Sequence, residues 1–96
     1  MTTKEDILKT LSNNKESLQA GFKVRQLALF GSYARGDQQE NSDVDILVDV
    51  DPSIGLDFVC LCETIERLLG THVDVVSSRA IKPSGWKVIE PELIYV

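Results

Sequence analysis

The stretch that decides the fold reads GSYARGDQQENSDVD and covers residues 31–45. It follows an apolar run, Val24 to Phe30, which is typical of a buried strand that ends at Gly31. A glycine at the exit of a strand lets the chain turn tightly and lets an anion approach the main-chain N–H groups. Ser32 adds a hydroxyl donor. A Gly-Ser pair alone is more often an ordinary turn, but together with the acids that follow we interpret it as a phosphate cradle.

Two carboxylates follow this cradle on the next predicted strand. From Val44 to Val50 every second residue is apolar, which predicts a strand with one buried face. Asp43 and Asp45 belong to the other face, roughly 6 to 7 Å apart along the backbone. Two carboxylates at this spacing suit a pair of divalent cations, and their hard oxygen atoms favour Mg2+ or Mn2+. Asp43 and Asp45 are therefore the first candidate metal ligands and catalytic residues.

A third acidic residue, Asp74, interrupts the apolar strand predicted from His72 to Val76. Burial of an unpaired carboxylate in such a strand is costly, so the residue needs a partner. We predict that Asp74 is a third metal ligand, and a further role as general base stays open. The alternative is an ion pair with Arg35 or Arg67.

Residues beside these acids have less specific signals. Arg35 either binds the phosphates of a nucleotide or holds the acidic loop in place. Ser42 is expected to order the same loop through a local hydrogen bond, and it is also a candidate nucleotide-binding residue. Tyr33, Trp86 and Tyr95 are interpreted as core or partner-contact aromatic residues.

The remaining pattern predicts an α/β fold. Thr2 or Thr3 caps a first helix that breaks at Asn13-Asn14, a short second helix ends at Gly21, and Leu56 to Leu69 forms another helix. Together with the strands, these elements predict a small mixed sheet of about three strands. The helices are expected mainly on one face, which leaves the other face open for chemistry.

The tail from Ile81 predicts a short helix around Trp86 to Glu90 and then an extended end. A chain of 96 residues provides one modest core, so a single domain is expected over residues 1–96. Cys60 and Cys62 are expected to be reduced packing residues, because two helical positions two apart point to different faces.

Composition excludes several classes of partner. The net charge is −5, and the segment between Arg35 and Arg67 contains nine acidic residues and no basic one, so direct binding to nucleic acid is not expected. The apolar runs are shorter than a membrane span. The first residues carry acids and no apolar segment, which predicts a cytoplasmic protein without a secretory signal.

These motifs resemble a known family, the minimal nucleotidyltransferase (MNT) domain of the DNA polymerase beta-like nucleotidyltransferase superfamily. The resemblance rests on Gly31-Ser32-Tyr33-Ala34-Arg35-Gly36, on Ser42-Asp43-Val44-Asp45, and on Asp74 in a later strand. It implies that Gly31 and Ser32 bind the triphosphate of ATP. It also implies that Asp43 and Asp45 hold two metal ions, and that Asp74 completes the metal site on the side of the nucleophile.

The length of the chain limits which activity the resemblance implies. Larger members of the family look to carry extra domains that bind the molecule to which the nucleotide is transferred. The short members resemble antitoxins of HEPN/MNT toxin-antitoxin pairs, which transfer AMP from ATP to a tyrosine of a HEPN ribonuclease toxin and also bind it. The resemblance thus implies an Mg2+-dependent protein adenylyltransferase with a HEPN toxin as partner. Two alternatives stay open: an antitoxin that acts by binding alone, and a nucleotidyltransferase for a small molecule or an RNA end.

Overall fold

A four-stranded mixed sheet forms the centre of the computed structural model, which describes residues 2–96. The strands are β1 (Val24–Phe30), β2 (Val44–Val50), β3 (Val73–Ser77) and β4 (Ile94–Tyr95). Their spatial order is β3-β2-β1-β4, with β1 antiparallel to both β2 and β4, and with β2 parallel to β3. The mixed α/β fold is confirmed, and the fourth strand is the extended end of the tail.

The helices are α1 (Lys4–Phe22), α2 (Ser32–Arg35), α3 (Asp57–Leu69) and α4 (Pro83–Ile89). Helix α1 packs against β1 and α3, and α3 packs against β3, so both long helices lie on one face of the sheet. Helix α4 and the turn before it lie over part of the opposite face. No helix among the described residues is long and apolar enough to cross a membrane.

The core lies between the sheet and the two long helices. Residues Val44, Ile46 and Val48 of β2 are fully buried, as their alternation predicted. The register places Leu27 opposite Val48 and Leu29 opposite Ile46, so β1 contributes to the same face. The helices supply the facing layer, in which the fully buried residues are Ile7, Leu11, Leu18, Leu61 and Ile65.

The prediction of two helices before β1 is wrong, because α1 runs without a break from Lys4 to Phe22. Asn14 does not interrupt the helix, since its side-chain Nδ2 donates a hydrogen bond to the Thr10 carbonyl oxygen at 2.8 Å. The side chain thus finds a hydrogen-bond partner inside the helix instead of on the main chain of a turn. Burial of Leu11 and Leu18, two turns apart on one face, stabilises the continuous helix.

The two ends of α1 differ in how well the sequence predicts them. Thr3 is the cap, and its Oγ1 accepts a hydrogen bond from the Asp6 main-chain N at 3.1 Å. Gly21 does not end the helix as expected. Instead Lys23 adopts the left-handed conformation with φ 56°.

Both cysteines are free, as expected, but the predicted packing role is wrong for Cys60 and only partly met by Cys62. Cys60 is exposed on α3, whereas Cys62 is partly buried. Burial raises the pKa of the Cys62 thiol, which keeps it protonated.

A matched pair of leucine substitutions tests this placement of the core. Leu11→Ala is expected to lower the free energy of unfolding by about 2 to 5 kcal/mol, because it leaves a cavity at a fully buried position. Leu56→Ala makes the same chemical change at a residue that is 89% exposed and is expected to cost less than about 0.5 kcal/mol. Urea unfolding of both variants measures the difference. Equal costs would contradict the placement of α1 on the sheet.

Candidate active site

The sheet brings the two sequence motifs together at one end of β2. Parallel pairing of β2 with β3 sets Asp45 directly beside Asp74. Antiparallel pairing on the other side sets Phe30 opposite Asp45, so the turn at Gly31 lies against the same carboxylate. Residues that are far apart in the chain therefore meet because of strand register alone. Asp43, the residue before β2, lies at the same end.

Gly31 and Asp45 approach each other so closely that no other residue fits at position 31. Gly31 is buried and has φ 78°, in the region that side chains disfavour. A Cβ atom built there would overlap Asp45 Oδ2 and would lie 3.0 Å from Asp45 Cγ and 3.2 Å from Asp45 Cβ. The glycine predicted from the strand exit is thus required by the carboxylate beneath it.

Asp45 is a carboxylate of the site whose pKa is shifted. Its side chain is partly buried, and this loss of hydration is the first cause that raises its pKa. The negative charges of Asp74 and Asp43 raise the pKa further, and Glu92 adds a smaller effect. Arg35 acts in the opposite direction and lowers it. An acidic group that several carboxylates surround in this way is a candidate for cation binding.

The other two acids are exposed. Asp43 lies next to His72, whose Nδ1 is 3.3 Å from Asp43 Oδ1 and forms an ion pair with it when the imidazole is protonated. Asp74 is exposed too, so the prediction that it is buried and therefore needs a partner is wrong. Its position beside Asp45 is as expected. None of the ion pairs within residues 2–96 involves Asp74, so neither Arg35 nor Arg67 neutralises it.

The carboxylates do not form a ready-made metal cage. Across the described part of the chain, no three His, Cys, Asp or Glu side chains are grouped closely enough to hold an ion. The strands fix the main-chain positions of Asp45 and Asp74, and Asp43 directly precedes β2. The directions of the side chains depend on other neighbours, such as His72 for Asp43. Their roles as metal ligands stay predictions.

Glu92 is the site residue that sequence reasoning missed. Its Oε1 accepts a hydrogen bond from the Gly31 main-chain N at 3.2 Å, and its Oε2 accepts one from Arg35 Nη1 at 2.8 Å. A carboxylate from the tail therefore lies on the N–H group predicted to bind phosphate. Only the run Glu90-Pro91-Glu92 before the last strand hinted at it, and such a run is ordinarily a solvated turn.

Arg35 holds two segments together in this structure. Besides Glu92, it contacts the acidic loop through a hydrogen bond from Nε to Asp37 Oδ2 at 3.0 Å. Both carboxylates raise the pKa of the guanidinium, so it stays charged. The interpretation of Arg35 as a residue that holds the loop is confirmed, and its contact with phosphates stays a prediction.

The two serines of the motif lie at opposite ends of this loop. Ser32 begins α2, and its carbonyl oxygen accepts hydrogen bonds from the Gly36 and Asp37 main-chain N atoms at 2.8 and 3.1 Å. Ser42 Oγ accepts a hydrogen bond from the Gln39 main-chain N at 2.8 Å, which confirms its loop-ordering role. Nucleotide binding by either serine stays a prediction.

The chain matches a known protein family over most of its length. The family described as "Nucleotidyltransferase domain" matches residues 11–96. The chain therefore belongs to the nucleotidyltransferase domain family, and the resemblance inferred from its motifs is confirmed.

Individual relatives are similar over most of the chain. A protein adenylyltransferase named MntA from Thermococcus cleftensis is 44% identical over 98 residues, which covers 100% of this chain and 98% of the relative. A solved structure of a protein assigned as a minimal nucleotidyltransferase is 34% identical to this chain, with a TM-score of 0.78. The match covers 97% of this chain and 95% of the chain in that structure. A chain from a toxin-antitoxin crystal structure with AMP-PNP is 29% identical to this chain, with a TM-score of 0.52. The match covers 84% of this chain and 61% of the chain in that structure.

The electrostatics of Asp45 predict how its removal changes stability with pH. Since the folded state raises the pKa of Asp45, it binds a proton more tightly than the unfolded state does. Stability is therefore lost as pH rises from the ordinary carboxyl pKa through the raised one. Asp45→Asn is expected to raise the melting temperature at pH 7 without added metal, and this gain should disappear at pH values below the ordinary carboxyl pKa.

Thermal unfolding followed by circular dichroism across this pH range measures the effect. Asp57→Asn makes the same change at an exposed residue at the start of α3 and serves as the control. A melting temperature of Asp45→Asn equal to or below that of the native chain at pH 7 would contradict the raised pKa of Asp45.

Proposed function

We propose that this chain is a metal-dependent protein adenylyltransferase that transfers AMP from ATP to a tyrosine of a HEPN-type toxin and thereby neutralises it. The observation that carries the proposal is the packing of Asp45 under Gly31 and beside Asp74 at one end of the sheet. The relative named protein adenylyltransferase supports the reaction, because its likeness extends over the whole chain. The likeness to a chain of a toxin-antitoxin pair with AMP-PNP supports the partner and the nucleotide.

The donor set fits a hard divalent cation. Asp43, Asp45 and Asp74 offer only carboxylate oxygens, which Mg2+ or Mn2+ prefers over zinc-type ligands. Burial raises the pKa of Asp45 first, and repulsion from Asp74 and Asp43 raises it further. A bound cation would relieve this repulsion. When bound, the metal would neutralise phosphate charge and make the acceptor oxygen a better nucleophile. Asp43 has to turn away from His72 to take part.

The Gly31 turn and its neighbours provide the phosphate contacts. The Gly31 N–H, the Ser32 hydroxyl and the Arg35 guanidinium are the donors that would bind the β- and γ-phosphates. Two of these donors are occupied by Glu92. Because a triphosphate and a carboxylate compete for the same N–H groups, Glu92 moves aside when the nucleotide binds.

The proposed reaction is an in-line displacement at the α-phosphate. The tyrosine oxygen of the toxin forms a bond to the α-phosphorus, while the bond from that phosphorus to the bridging oxygen breaks and pyrophosphate leaves. The phenolic proton passes to the exposed Asp74 carboxylate, which lies on the β3 side of Asp45, away from Gly31. The product is the toxin with AMP joined to its tyrosine.

Mass spectrometry of the partner tests the reaction. Incubation of the purified chain with its co-expressed toxin, ATP and Mg2+ is expected to add the mass of AMP to a toxin tyrosine. Chelation of Mg2+ by EDTA should stop the transfer. Asp45→Asn should lower the rate by more than about 100-fold, because loss even of a residue that only supports a metal ligand costs about 10- to 100-fold.

Asp57→Asn is the control for this substitution and should keep the native rate. Full protection of cells by Asp45→Asn, with no AMP on the toxin, would replace the proposal by an antitoxin that acts through binding alone. Transfer to a small molecule or an RNA end without any protein partner would replace it by the third alternative.

The competition between Glu92 and the triphosphate gives a second prediction. Glu92→Gln removes one negative charge beside the phosphate donors and is expected to tighten ATP binding by about 1 kcal/mol, or roughly fivefold. Isothermal titration calorimetry with Mg2+ and ATP measures the dissociation constant. Glu63→Gln, at an exposed residue of α3, is the matched control. Weaker binding by Glu92→Gln would mean instead that Glu92 positions Gly31 and Arg35 for the nucleotide.

A further inference from the structure

A cavity of about 480 Å3 lies on the same sheet face as the acidic site. Asp45, Leu47 and Asp49 alternate along β2, so the floor of the cavity begins one pleat beyond Asp45. Its lining includes Gln26, Leu47, Asp49, Ile81, Trp86 and Tyr95. Trp86 is the single tryptophan of the chain. Trp86 and Tyr95, which were expected to be core or partner-contact residues, thus line a pocket that the sequence does not predict.

We propose that this cavity binds the base of the donor nucleotide, a flat amino-purine such as adenine. This inference rests on the proposed function, since it assigns a place to the nucleotide of that reaction. The volume lies within the range of small-molecule sites, and the lining combines apolar and aromatic side chains with few polar ones, as such sites do. A purine stacks favourably on an aromatic ring such as that of Trp86.

Two polar side chains stand together on the floor of the cavity. Gln26 and Asp49 are register partners on β1 and β2, so their side chains project side by side. Within residues 2–96 neither side chain has a hydrogen-bond partner, whereas the nearby Asp51 is bonded to Arg25 and Ser53. An amide can both donate to and accept from the edge of adenine, and a carboxylate accepts from its exocyclic amine. The pair therefore matches the edge of an amino-purine.

The position of the cavity favours the base over the acceptor tyrosine. In an in-line displacement the nucleophile enters opposite the leaving pyrophosphate. The phosphate donors lie on the β1 side of Asp45, and Asp74 lies on the β3 side. The strand residues that line the cavity come from β1, β2 and β4, and Ser78, which directly follows β3, lines it as well. An acceptor on the β1 and β4 side of the cavity could not approach in line, whereas a base faces no such restriction.

The distance between Asp45 and the floor of the cavity also fits a single bound nucleotide. Leu47 follows Asp45 by two residues, which is about 7 Å along an extended strand. A ribose spans such a gap between an α-phosphate held at Asp45 and a base that lies over Leu47. The acidic site and the cavity can therefore belong to a single bound nucleotide.

Fluorescence of Trp86 tests the proposal directly, because no other tryptophan contributes. Adenosine and Mg2+-ATP are expected to change the emission of Trp86, whereas inorganic tripolyphosphate should not. Inosine has a carbonyl oxygen where adenosine has the amine, and it should bind more weakly than adenosine. By calorimetry, Trp86→Ala should weaken ATP binding by about 5- to 150-fold. Val88→Ala, at an exposed residue on the same helix, should bind as the native chain does.

The outcomes separate this inference from the proposed function. Adenosine binding by the Asp45→Asn variant, together with a lack of AMP transfer by the native chain, would support the base site and overturn the function. AMP transfer with native ATP affinity in both Trp86→Ala and Gln26→Ala would overturn the base site and keep the function. Gln26→Ala covers the case in which Trp86→Ala does not fold. A Trp86 response to N-acetyltyrosinamide but not to adenosine would assign the cavity to the acceptor and overturn the proposal.

Discussion

The contact between the Gly31 main chain and the Asp45 carboxylate is the constraint on which the whole site depends. It fixes the residue type at position 31, because any Cβ atom would overlap the carboxylate. It also places the turn after β1 directly against the acidic end of β2. Asp45 is also partly buried at this point, and this burial, followed by the charges of Asp74 and Asp43, raises its pKa. The tight backbone turn and the perturbed carboxylate therefore lie in direct contact.

Much of this arrangement follows from local pattern, which is why the sequence predicts it. Alternation of apolar residues in β2 indicates which face lies against the long helices, and Val44, Ile46, Val48 and Val50 are buried as it predicts. Leu47, on the other face, is buried as well, which the alternation does not predict. The glycine at the end of β1 marks a turn that only glycine can make. Asp74 could be assigned to the same site only by its strand and by family resemblance. The parallel register with β2 is not visible in the sequence.

The features that the sequence does not predict depend on contacts between distant residues or on competition between local and tertiary effects. The contact of Glu92 with Gly31 joins residues 61 positions apart, and no periodicity records such a pairing. In α1 the turn preference of Asn14 is outweighed by burial of Leu11 and Leu18. Asp74 was expected to be buried because its neighbours are apolar, but β3 lies at the sheet edge, where one face stays open.

The tail contributes to the sheet, to the cavity and to the acidic site. Val96 N bonds to the Leu27 carbonyl oxygen at 2.9 Å, Tyr95 lines the cavity, and Glu92 contacts the Gly31 turn. During synthesis on the ribosome, the Gly31 turn is made long before the segment that completes it. A growing chain therefore carries its acidic motif without the edge strand β4 and without the Glu92 contact. These contacts form only after residues 92–96 have been added.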